Sequence, residues 1–302
     1  MPDLSVIFAG VKFRNPVVAA PCITTQEPSN IKKAIEAGAG GIVLKTVVPD
    51  TLAYTREWIK PRFRIITSDK RIFDPMKDFF TNYSMEESNP YTPEEYAKII
   101  KPLPRPKDTP IIWSIMGDHT IDSWVELAKI GYSIKPDLIE LNFACPHVAP
   151  GEKRGRVLGS KPDVMGQIIN AIKTEIDVPI IPKLPPDLYN LEDIVIELEK
   201  VGADGVTMFT RFQGLDIDIY RATPIMHRSY AGIGGPYMLY YLLAWVSKIA
   251  TKVNIPISAV GGIRSWEDVI KALMVGATNV QICTIVLLRG YKICLLYTSD
   301  AA

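Results

Sequence analysis

Eight short runs of apolar, mostly β-branched residues are spread along the 302-residue chain, and amphipathic segments separate most of them. Strands that alternate with helices pair in parallel, because each helix carries the chain back to the start of the next strand. Eight such units predict an α/β fold, a closed (β/α)8 TIM barrel over residues 1–290. The runs are Val17–Ala20, Gly41–Lys45, Ile111–Ile115, Leu138–Asn142, Ile180–Lys183, Gly205–Phe209, Ile257–Val260 and Asn279–Cys283.

The segments between these runs carry helix start and stop signals. Thr92-Pro93-Glu94-Glu95 is a capping box with proline at the first helical position. Gly-Ala pairs at 38–39, 202–203 and 276–277 precede strands by a few residues, as expected where a helix ends in a left-handed glycine. A doubly wound sheet would need a glycine-rich dinucleotide turn after an early strand, and the sequence has none. Further helix starts are expected at Ser29, Asp163, Leu191, Pro236 and Ser265.

Three segments interrupt the strand–helix rhythm. Residues 46–110 and 210–235 are longer than ordinary connections, and long loops in a barrel usually form the site or its lid. Residues 291–302 form a truncated or non-native-looking tail, in which Leu295–Ala302 resemble a translated sequencing read-through more than a native terminus. We therefore expect that the barrel lacks its last helix in this sequence and that the native chain is longer.

Composition excludes several classes of function. The chain has 34 basic and 33 acidic residues, a net charge of +1, so no nucleic-acid or membrane surface is expected. No signal peptide is recognisable, and the longest apolar run, around Tyr237–Val246, is too short for a membrane span. The four cysteines show neither C-x-x-C nor zinc spacing, which indicates a cytoplasmic protein that holds neither zinc nor an iron–sulfur cluster by itself.

The residues after the fourth run place three reactive groups on one turn. Asn142, Cys145 and His147 follow the strand directly, and a proline after Cys145 restricts the backbone of the turn. In a barrel, the carboxyl ends of the strands carry the active site. A lone cysteine is often only a small buried hydrophobe. Its place between a carboxamide and an imidazole favours a role in chemistry.

Other strand ends carry polar or flexible residues as well. Lys45 ends the second run and Lys183 the fifth, and these two lysines could stabilise an anionic ring or a reduced flavin. Gly261-Gly262 follows the seventh run, and Cys283-Thr284 ends the eighth. Glycines and a hydroxyl at these positions are typical of a phosphate cradle. Taken singly, Lys183 could also be a surface lysine and the glycines a simple turn.

Taken together, these residues resemble the FMN-binding barrel of the dihydroorotate and dihydropyrimidine dehydrogenases, from Phe13 to about Leu288. The dihydropyrimidine dehydrogenase barrel is the closer of the two, since dihydroorotate enzymes usually carry asparagine in place of His147. The motifs that carry the resemblance are Trp113-Ser-Ile-Met-Gly, Asp122-Ser-Trp-Val-Glu-Leu-Ala-Lys, Cys145-Pro-His147, Gly151-Glu-Lys-Arg-Gly and Leu158-Gly-Ser-Lys-Pro-Asp.

The resemblance implies FMN as cofactor and assigns residues to it. Lys183 would stabilise negative charge at the pyrimidine edge of the reduced flavin. Beside and along the isoalloxazine would lie Ala20, Pro21, Lys45, Thr46 and Asn142. Around the ribityl phosphate would lie Gly232, Gly234, Gly235, Gly261, Gly262, Cys283 and Thr284.

The resemblance also implies a reaction, the oxidation or reduction of a CH–CH group in a planar pyrimidine-like substrate. Cys145 would be the acid–base at one carbon while flavin N5 exchanges hydride at the next. A thiol titrates near ~8.5, so it can give or take a proton near neutrality. Asn82 and Asn142 would hydrogen-bond the ring, with His147, Thr210 and Arg211 completing the substrate site.

One position departs from the family pattern. After the sixth strand, the pyrimidine enzymes present asparagine followed by threonine or serine, whereas this chain has Thr210-Arg211. Loss of the carboxamide leaves the polar edge of a pyrimidine poorly matched. Arg211 indicates either an anionic group on the substrate or an internal ion pair.

Several readings of the function remain open from the sequence. The resemblance implies an electron-transfer subunit, either a flavin or an iron–sulfur protein, and a homo- or hetero-oligomer. The alternatives are a dihydroorotate dehydrogenase, a Schiff-base aldolase that acts through Lys183, and a non-catalytic flavin-binding subunit. The aldolase leaves Cys145 without a role.

Overall fold

The structure is a computed structural model that describes residues 3–56, 62–67, 73–147, 151 and 153–294. None of the helices in these ranges combines the length and apolar character that a membrane span requires. The strands are β1 Val6–Phe8, β2 Val11–Phe13, β3 Val17–Ala19, β4 Gly41–Val43, β5 Arg62–Thr67, β6 Phe80–Met85, β7 Ile111–Ile115, β8 Leu138–Asn142, β9 Ile180–Leu184, β10 Val206–Met208, β11 Phe212–Gly214, β12 Ile217–Asp218, β13 Thr223–Pro224, β14 Ala231–Gly234, β15 Ile257–Val260 and β16 Asn279–Ile282.

Eight of these strands close into a parallel barrel in the order β3-β4-β7-β8-β9-β10-β15-β16, and β16 pairs with β3 to complete the ring. The predicted (β/α)8 barrel is confirmed, and each predicted run is a barrel strand. Helices pack outside the strands, and those with a predicted start begin within two residues of it, whereas the starts of α3 and α8 were not predicted. They are α1 Pro28–Glu36, α2 Pro93–Ile100, α3 Ile121–Tyr132, α4 Pro162–Glu175, α5 Leu191–Lys200, α6 Met238–Ile249, α7 Trp266–Met274 and α8 Thr284–Arg289.

The amino-terminal hairpin of β1 and β2 closes the bottom of the barrel. Its Phe8 and Phe13 rings meet edge to face, with centroids 6.1 Å apart. Both are buried against barrel residues that include Val18 and Ile181. The opposite end, where the strands finish, stays available for a site.

The two long inserted segments form a sheet of their own, which the sequence analysis did not anticipate. β5 and β6 of the first segment pair with each other, as do β11 and β14 of the second. β6 also pairs with β14, so that all four antiparallel strands form one sheet in the order β11-β14-β6-β5. Along β6, Tyr83 and Met85 pack into a small core with Met226 and Ala231. Ser84, which lies between them, therefore faces the other side of the sheet, because side chains alternate along a strand.

The end of the described chain follows the last barrel strand closely. Helix α8 has six residues, and Cys294 is buried in the main core. Of the tail treated separately in the sequence analysis, residues 295–302 lie outside the described residues, so the expectation of a missing final helix stays a prediction.

Packing between α3 and β7 leaves no room for a side chain at Gly131. A Cβ atom there would lie 2.2 Å from Cδ1 of Trp113. The indole is fully buried and donates a hydrogen bond to the Leu127 carbonyl at 3.1 Å, so the ring cannot turn away freely. Contact this short forces the helix or the ring to move.

We expect Gly131→Ala to lower the free energy of unfolding by about 1–3 kcal/mol through overpacking, despite the better helix propensity of alanine. Gly166→Ala in α4 is the matched control, since its Cβ would lie 3.1 Å from Val201 Cγ1, a side-chain methyl that can shift. Urea unfolding followed by circular dichroism measures both. Equal stability of the two variants would contradict this account of the α3–β7 contact.

Asp118 ties the first inserted segment to the barrel. Its carboxylate accepts hydrogen bonds from Thr51 Oγ1 at 2.6 Å and from the Thr120 amide at 2.8 Å. Burial alone would raise its pKa, but hydrogen bonds from Thr120, Thr51 and Ser123 outweigh burial and lower the pKa to about 2. The charged form is therefore more stable in the folded chain than in the unfolded one.

Because the pKa of Asp118 is lower in the folded chain than in the unfolded one, the carboxylate stabilises the fold fully at pH values above its unfolded pKa of about 4. This stabilisation is lost as the pH falls from about 4 through the folded pKa of about 2. We expect Asp118→Asn to cost about 2 kcal/mol at pH 7 and to flatten the loss of stability between pH 4 and pH 2. Unfolding free energies measured at several pH values test this. An Asp118→Asn profile parallel to the wild type would remove the carboxylate from the explanation.

Candidate active site

A cavity opens at the carboxyl ends of the barrel strands, under the inserted sheet. Strand ends supply its floor, and the inserted segments supply one wall. Of the sequence-predicted site residues, those that line it are Ala20, Pro21, Asn82, Lys183, Thr210, Arg211, Gly234, Gly235, Gly261, Gly262, Cys283 and Thr284. Those that do not line it are Lys45, Thr46, Asn142, Cys145, His147 and Gly232.

One end of the cavity is built from backbone and glycine. Gly262 has φ +77, and a Cβ atom on it would lie 2.3 Å from the Leu239 backbone nitrogen. A Cβ on Gly235 would lie 2.2 Å from the Phe80 carbonyl oxygen. Thr284 begins α8 across from these glycines. Only glycine lets the chain pass so closely here, and it leaves backbone groups facing the cavity.

Lys183 enters the cavity floor from the barrel interior, where a polar network holds it. Its Nζ lies 3.3 Å from Glu140 Oε1 and donates to Gln281 Oε1 at 3.0 Å. The other carboxylate oxygen of Glu140 accepts from Thr207 Oγ1 at 3.0 Å and from Gln281 Nε2 at 2.8 Å. Lys183 is thus paired and hydrogen-bonded within the barrel, as a buried charged side chain must be.

Lys45 forms a second buried ion pair beside the cavity. Its Nζ lies 2.5 Å from Glu86 Oε1, and both side chains are more than nine-tenths buried. Glu86 lines the cavity, so Lys45 reaches it through this carboxylate. Sequence reasoning missed Glu86, although the alternation from Asn82 to Glu86 already shows the period of a strand.

Asn82 has an unsatisfied oxygen that faces the site. The residue is 2% exposed, and its Nδ2 donates to Thr284 Oγ1 at 3.3 Å. Its Oδ1 has no hydrogen-bond partner among the described residues. A buried carbonyl oxygen without a donor is unfavourable by about 1–3 kcal/mol, so a ligand with an N–H group would be stabilised there.

The turn that follows β8 is fixed by Asn142. Its Oδ1 accepts from the Ala144 amide at 3.1 Å, and its Nδ2 donates to Thr46 Oγ1 at 3.2 Å. Thr46 in turn contacts the Ser114 hydroxyl at 2.8 Å. Cys145, a half-buried free thiol, follows on this fixed turn. The predicted residues of the turn therefore lie together beside the cavity, although they are not among the residues that line it.

His147 and Arg211 meet where this turn approaches the inserted sheet. Arg211 Nη2 lies 3.2 Å from His147 Nε2, and Arg211 Nη1 contacts the Ser84 hydroxyl. Burial, followed by the nearby charges of Arg211 and Lys45, holds the pKa of His147 well below its ordinary value. The imidazole is therefore neutral near pH 7, and Nε2 accepts the hydrogen bond from Arg211.

Gly232 has a different place from the one expected. A Cβ atom there would lie 2.7 Å from Arg211 Cζ, so glycine makes room for the guanidinium. Sequence reasoning also missed Glu140 and Gln281. The available signal was a polar residue flanked by apolar neighbours in each of two strands, Glu140 in LIELN and Gln281 in NVQI.

Comparison with known proteins places this site in a family. The family model described as dihydroorotate dehydrogenase matches residues 3–296. The dihydroorotate dehydrogenase B (NAD(+)) catalytic subunit of Pyrococcus abyssi is 30% identical over 292 residues, 96% of this chain and 90% of the relative. That of Thermococcus kodakarensis is 30% identical over 292 residues, 96% of this chain and 89% of the relative.

A second kind of relative also matches. The NAD-dependent dihydropyrimidine dehydrogenase subunit PreA of Escherichia coli is 28% identical over an alignment of 304 positions, gaps included, that covers 96% of this chain and 70% of the relative. The resemblance predicted from the sequence is thus confirmed over nearly the whole barrel. The chain belongs to the dihydroorotate dehydrogenase family of oxidoreductases.

Proposed function

We propose that the protein is an FMN-dependent oxidoreductase that acts on the CH–CH group of a pyrimidine-like ring. The observation that carries the proposal is the cavity itself. It joins a glycine-built end, the buried Lys183 ammonium and the unpartnered Asn82 oxygen in one space at the barrel mouth. The family membership supports the same class of reaction.

The residues present fit FMN. Gly261, Gly262 and the start of α8 supply backbone N–H groups for a phosphate, as helix amino termini and glycine turns do in other barrels. Lys183 supplies a fixed positive charge at the other end of the floor. FMN would supply hydride transfer when bound, and the protein would supply position and electrostatics.

For the substrate, Asn82 provides an acceptor for a ring N–H, and its buried state makes the bond selective. Cys145 would hold or take the proton at the reacting carbon. The bonds of Asn142 keep the thiol's turn in place. A positioned thiol can give or take a proton in such a step.

An electron-transfer partner follows from the kind of relative that matches. The names of the relatives describe a catalytic subunit and a dehydrogenase subunit, and both include NAD. We therefore propose that a second subunit, a flavin or iron–sulfur protein, carries electrons between this chain and a nicotinamide.

The Schiff-base aldolase has less support. It leaves Cys145 without a role, and the Lys183 Nζ that it would need as nucleophile is engaged with Glu140 Oε1 at 3.3 Å. A flavin-binding subunit without turnover differs from the proposed enzyme only in the role of Cys145, so a substitution there separates the two.

We expect the purified protein to bind one FMN and to show flavin absorption bands. Thr284→Val should weaken FMN binding roughly tenfold, since a hydrogen bond to a charged group contributes about 1.5–3 kcal/mol. It should leave riboflavin, which lacks the phosphate, unaffected. Fluorescence titration measures both ligands, with Thr174→Val on the exposed face of α4 as control. Equal losses for FMN and riboflavin would place the phosphate elsewhere.

We expect Cys145→Ser and Cys145→Ala to slow reduction of the bound flavin by dihydropyrimidine substrate about 10²- to 10⁴-fold, the usual contribution of a general acid or base. FMN content should not change, because Cys145 does not line the cavity. Anaerobic stopped-flow absorbance gives the rate. Full activity in both variants would contradict the assigned role, and a wild type with FMN but no turnover would favour the non-catalytic subunit.

A further inference from the structure

A side chain of the inserted sheet holds the backbone directly after Cys145. Gln213 lies in the edge strand β11, and its Nε2 donates a hydrogen bond to the carbonyl oxygen of Pro146 at 2.6 Å. Pro146 is buried and has no N–H group, so this carbonyl is the backbone polar group that needs a partner. Gln213 supplies that partner from the second inserted segment.

Two neighbours fix which way the Gln213 amide points. Its Oε1 accepts a hydrogen bond from Arg156 Nη1 at 2.9 Å, and Arg156 Nη2 contacts the Asp187 carboxylate. A guanidinium only donates and a carbonyl only accepts. Both neighbours are satisfied when the amide oxygen faces Arg156 and the amide nitrogen faces Pro146. Arg156 and Asp187 therefore orient Gln213 towards the turn.

The backbone is thus held on both sides of Cys145. Before the thiol, Asn142 at the end of a barrel strand accepts from the Ala144 amide at 3.1 Å. After it, Gln213 fixes the direction of the Pro146 carbonyl. The proline ring already restricts φ of this residue, so the carbonyl bond restricts the rotation that remains. The barrel sets one side of the turn, and the inserted sheet sets the other.

This hold is separate from the surfaces that meet a ligand. Neither Gln213 nor Pro146 is among the residues that line the cavity. A change at Gln213 therefore acts on the turn and leaves the cavity lining as it is. Effects on the position of the thiol and effects on ligand binding can accordingly be measured apart.

We propose that Gln213 is a positioning residue for Cys145, which places the thiol through the Pro146 carbonyl. The role assigned to Gln213 rests on the proposed function, in which Cys145 gives or takes a proton. It adds to that function a residue that touches neither substrate nor cofactor. A displacement of about 1 Å can slow a reaction about a hundredfold, so a hold of this kind matters for the rate.

Gln213→Met keeps the length of the side chain and removes both hydrogen bonds. Flavin reduction is followed by anaerobic stopped-flow absorbance, with whichever of dihydrouracil and dihydroorotate reduces the wild type. We expect the limiting rate to fall about ten- to hundredfold, while FMN content and the half-saturating substrate concentration stay unchanged. Gln167→Met, the same change at an exposed position of α4, should match the wild type. A wild-type limiting rate in Gln213→Met would overturn the proposal.

Gln213→Glu separates the two bonds of the amide. A carboxylate still accepts from Arg156 but has no N–H group for the Pro146 carbonyl. We therefore expect Gln213→Glu to be as slow as Gln213→Met. Full activity in Gln213→Glu would mean that Gln213 serves Arg156 alone, which contradicts the role at Pro146.

A Cys145→Ala background distinguishes positioning from general damage to the site. If Gln213 acts through the thiol, Gln213→Met should slow the Cys145→Ala enzyme no further, because the two changes remove one function. An equal loss in the presence and absence of the thiol would make Gln213 a structural residue and overturn the proposal.

Alkylation of Cys145 by iodoacetamide, measured by mass spectrometry of its peptide, tests the hold without turnover. Cys145 is a half-buried free thiol, and we expect both Gln213 variants to react severalfold faster than the wild type. Unchanged alkylation in both would overturn the hold itself. A wild type that takes up no FMN, or whose flavin neither compound reduces, overturns the proposed function and the catalytic role of Gln213, while faster alkylation would still demonstrate the hold.

Discussion

The site depends on the backbone pairing of β6 with β14, which joins two segments more than a hundred residues apart in sequence. Each segment alone is a two-stranded antiparallel pair, β5–β6 or β11–β14, and one edge of β6 and of β14 would then need water. When β6 pairs with β14, the backbone N–H and C=O groups of the two segments hydrogen-bond to each other, and the segments form one sheet over the barrel mouth. Because side chains alternate along β6, its apolar face packs against the rest of the insertion. Asn82 and Glu86 line the cavity, and the Ser84 hydroxyl contacts Arg211. The register of this pairing therefore decides which groups meet a ligand.

Buried charge gives the site its second constraint. Lys183 and Lys45 are each held by a carboxylate, because an ammonium in a poorly solvated site would otherwise lose its proton or remain strongly unfavourable. These ion pairs hold the two ammonium groups in place, and each carboxylate weakens the positive electric field of its lysine in the cavity. Arg211 keeps its charge without such a partner, since a guanidinium is protonated at any ordinary pH. The contrast separates two charges held by carboxylates from one held by the neutral groups of Ser84 and His147.

The barrel could be predicted from the sequence, whereas much of the site could not. Each apolar run indicates a local preference for a β-strand. Eight such strands with helices between them are compatible with few chain topologies, the closed parallel barrel among them. Residues at strand ends, such as Lys183 and Gly262, were found because the fold fixes where strand ends meet. Glu86 and Glu140 were missed because their partners lie far away in sequence, and a lone acid in a strand does not reveal what it pairs with. The place of Gly232 followed from the Arg211 side chain, which sequence spacing does not show.

The two layers of the molecule thus have different tasks. The barrel contributes the glycine-built end and Lys183, and its strands are fixed on both sides by neighbours, so these groups tolerate little change. The inserted sheet contributes Asn82 and holds Arg211 through Ser84. Substitutions on that sheet can alter which ring is accepted without disturbing the barrel below it, because surface segments vary more freely than a packed core. A change of substrate within such a fold therefore requires new side chains on the inserted wall rather than a new barrel.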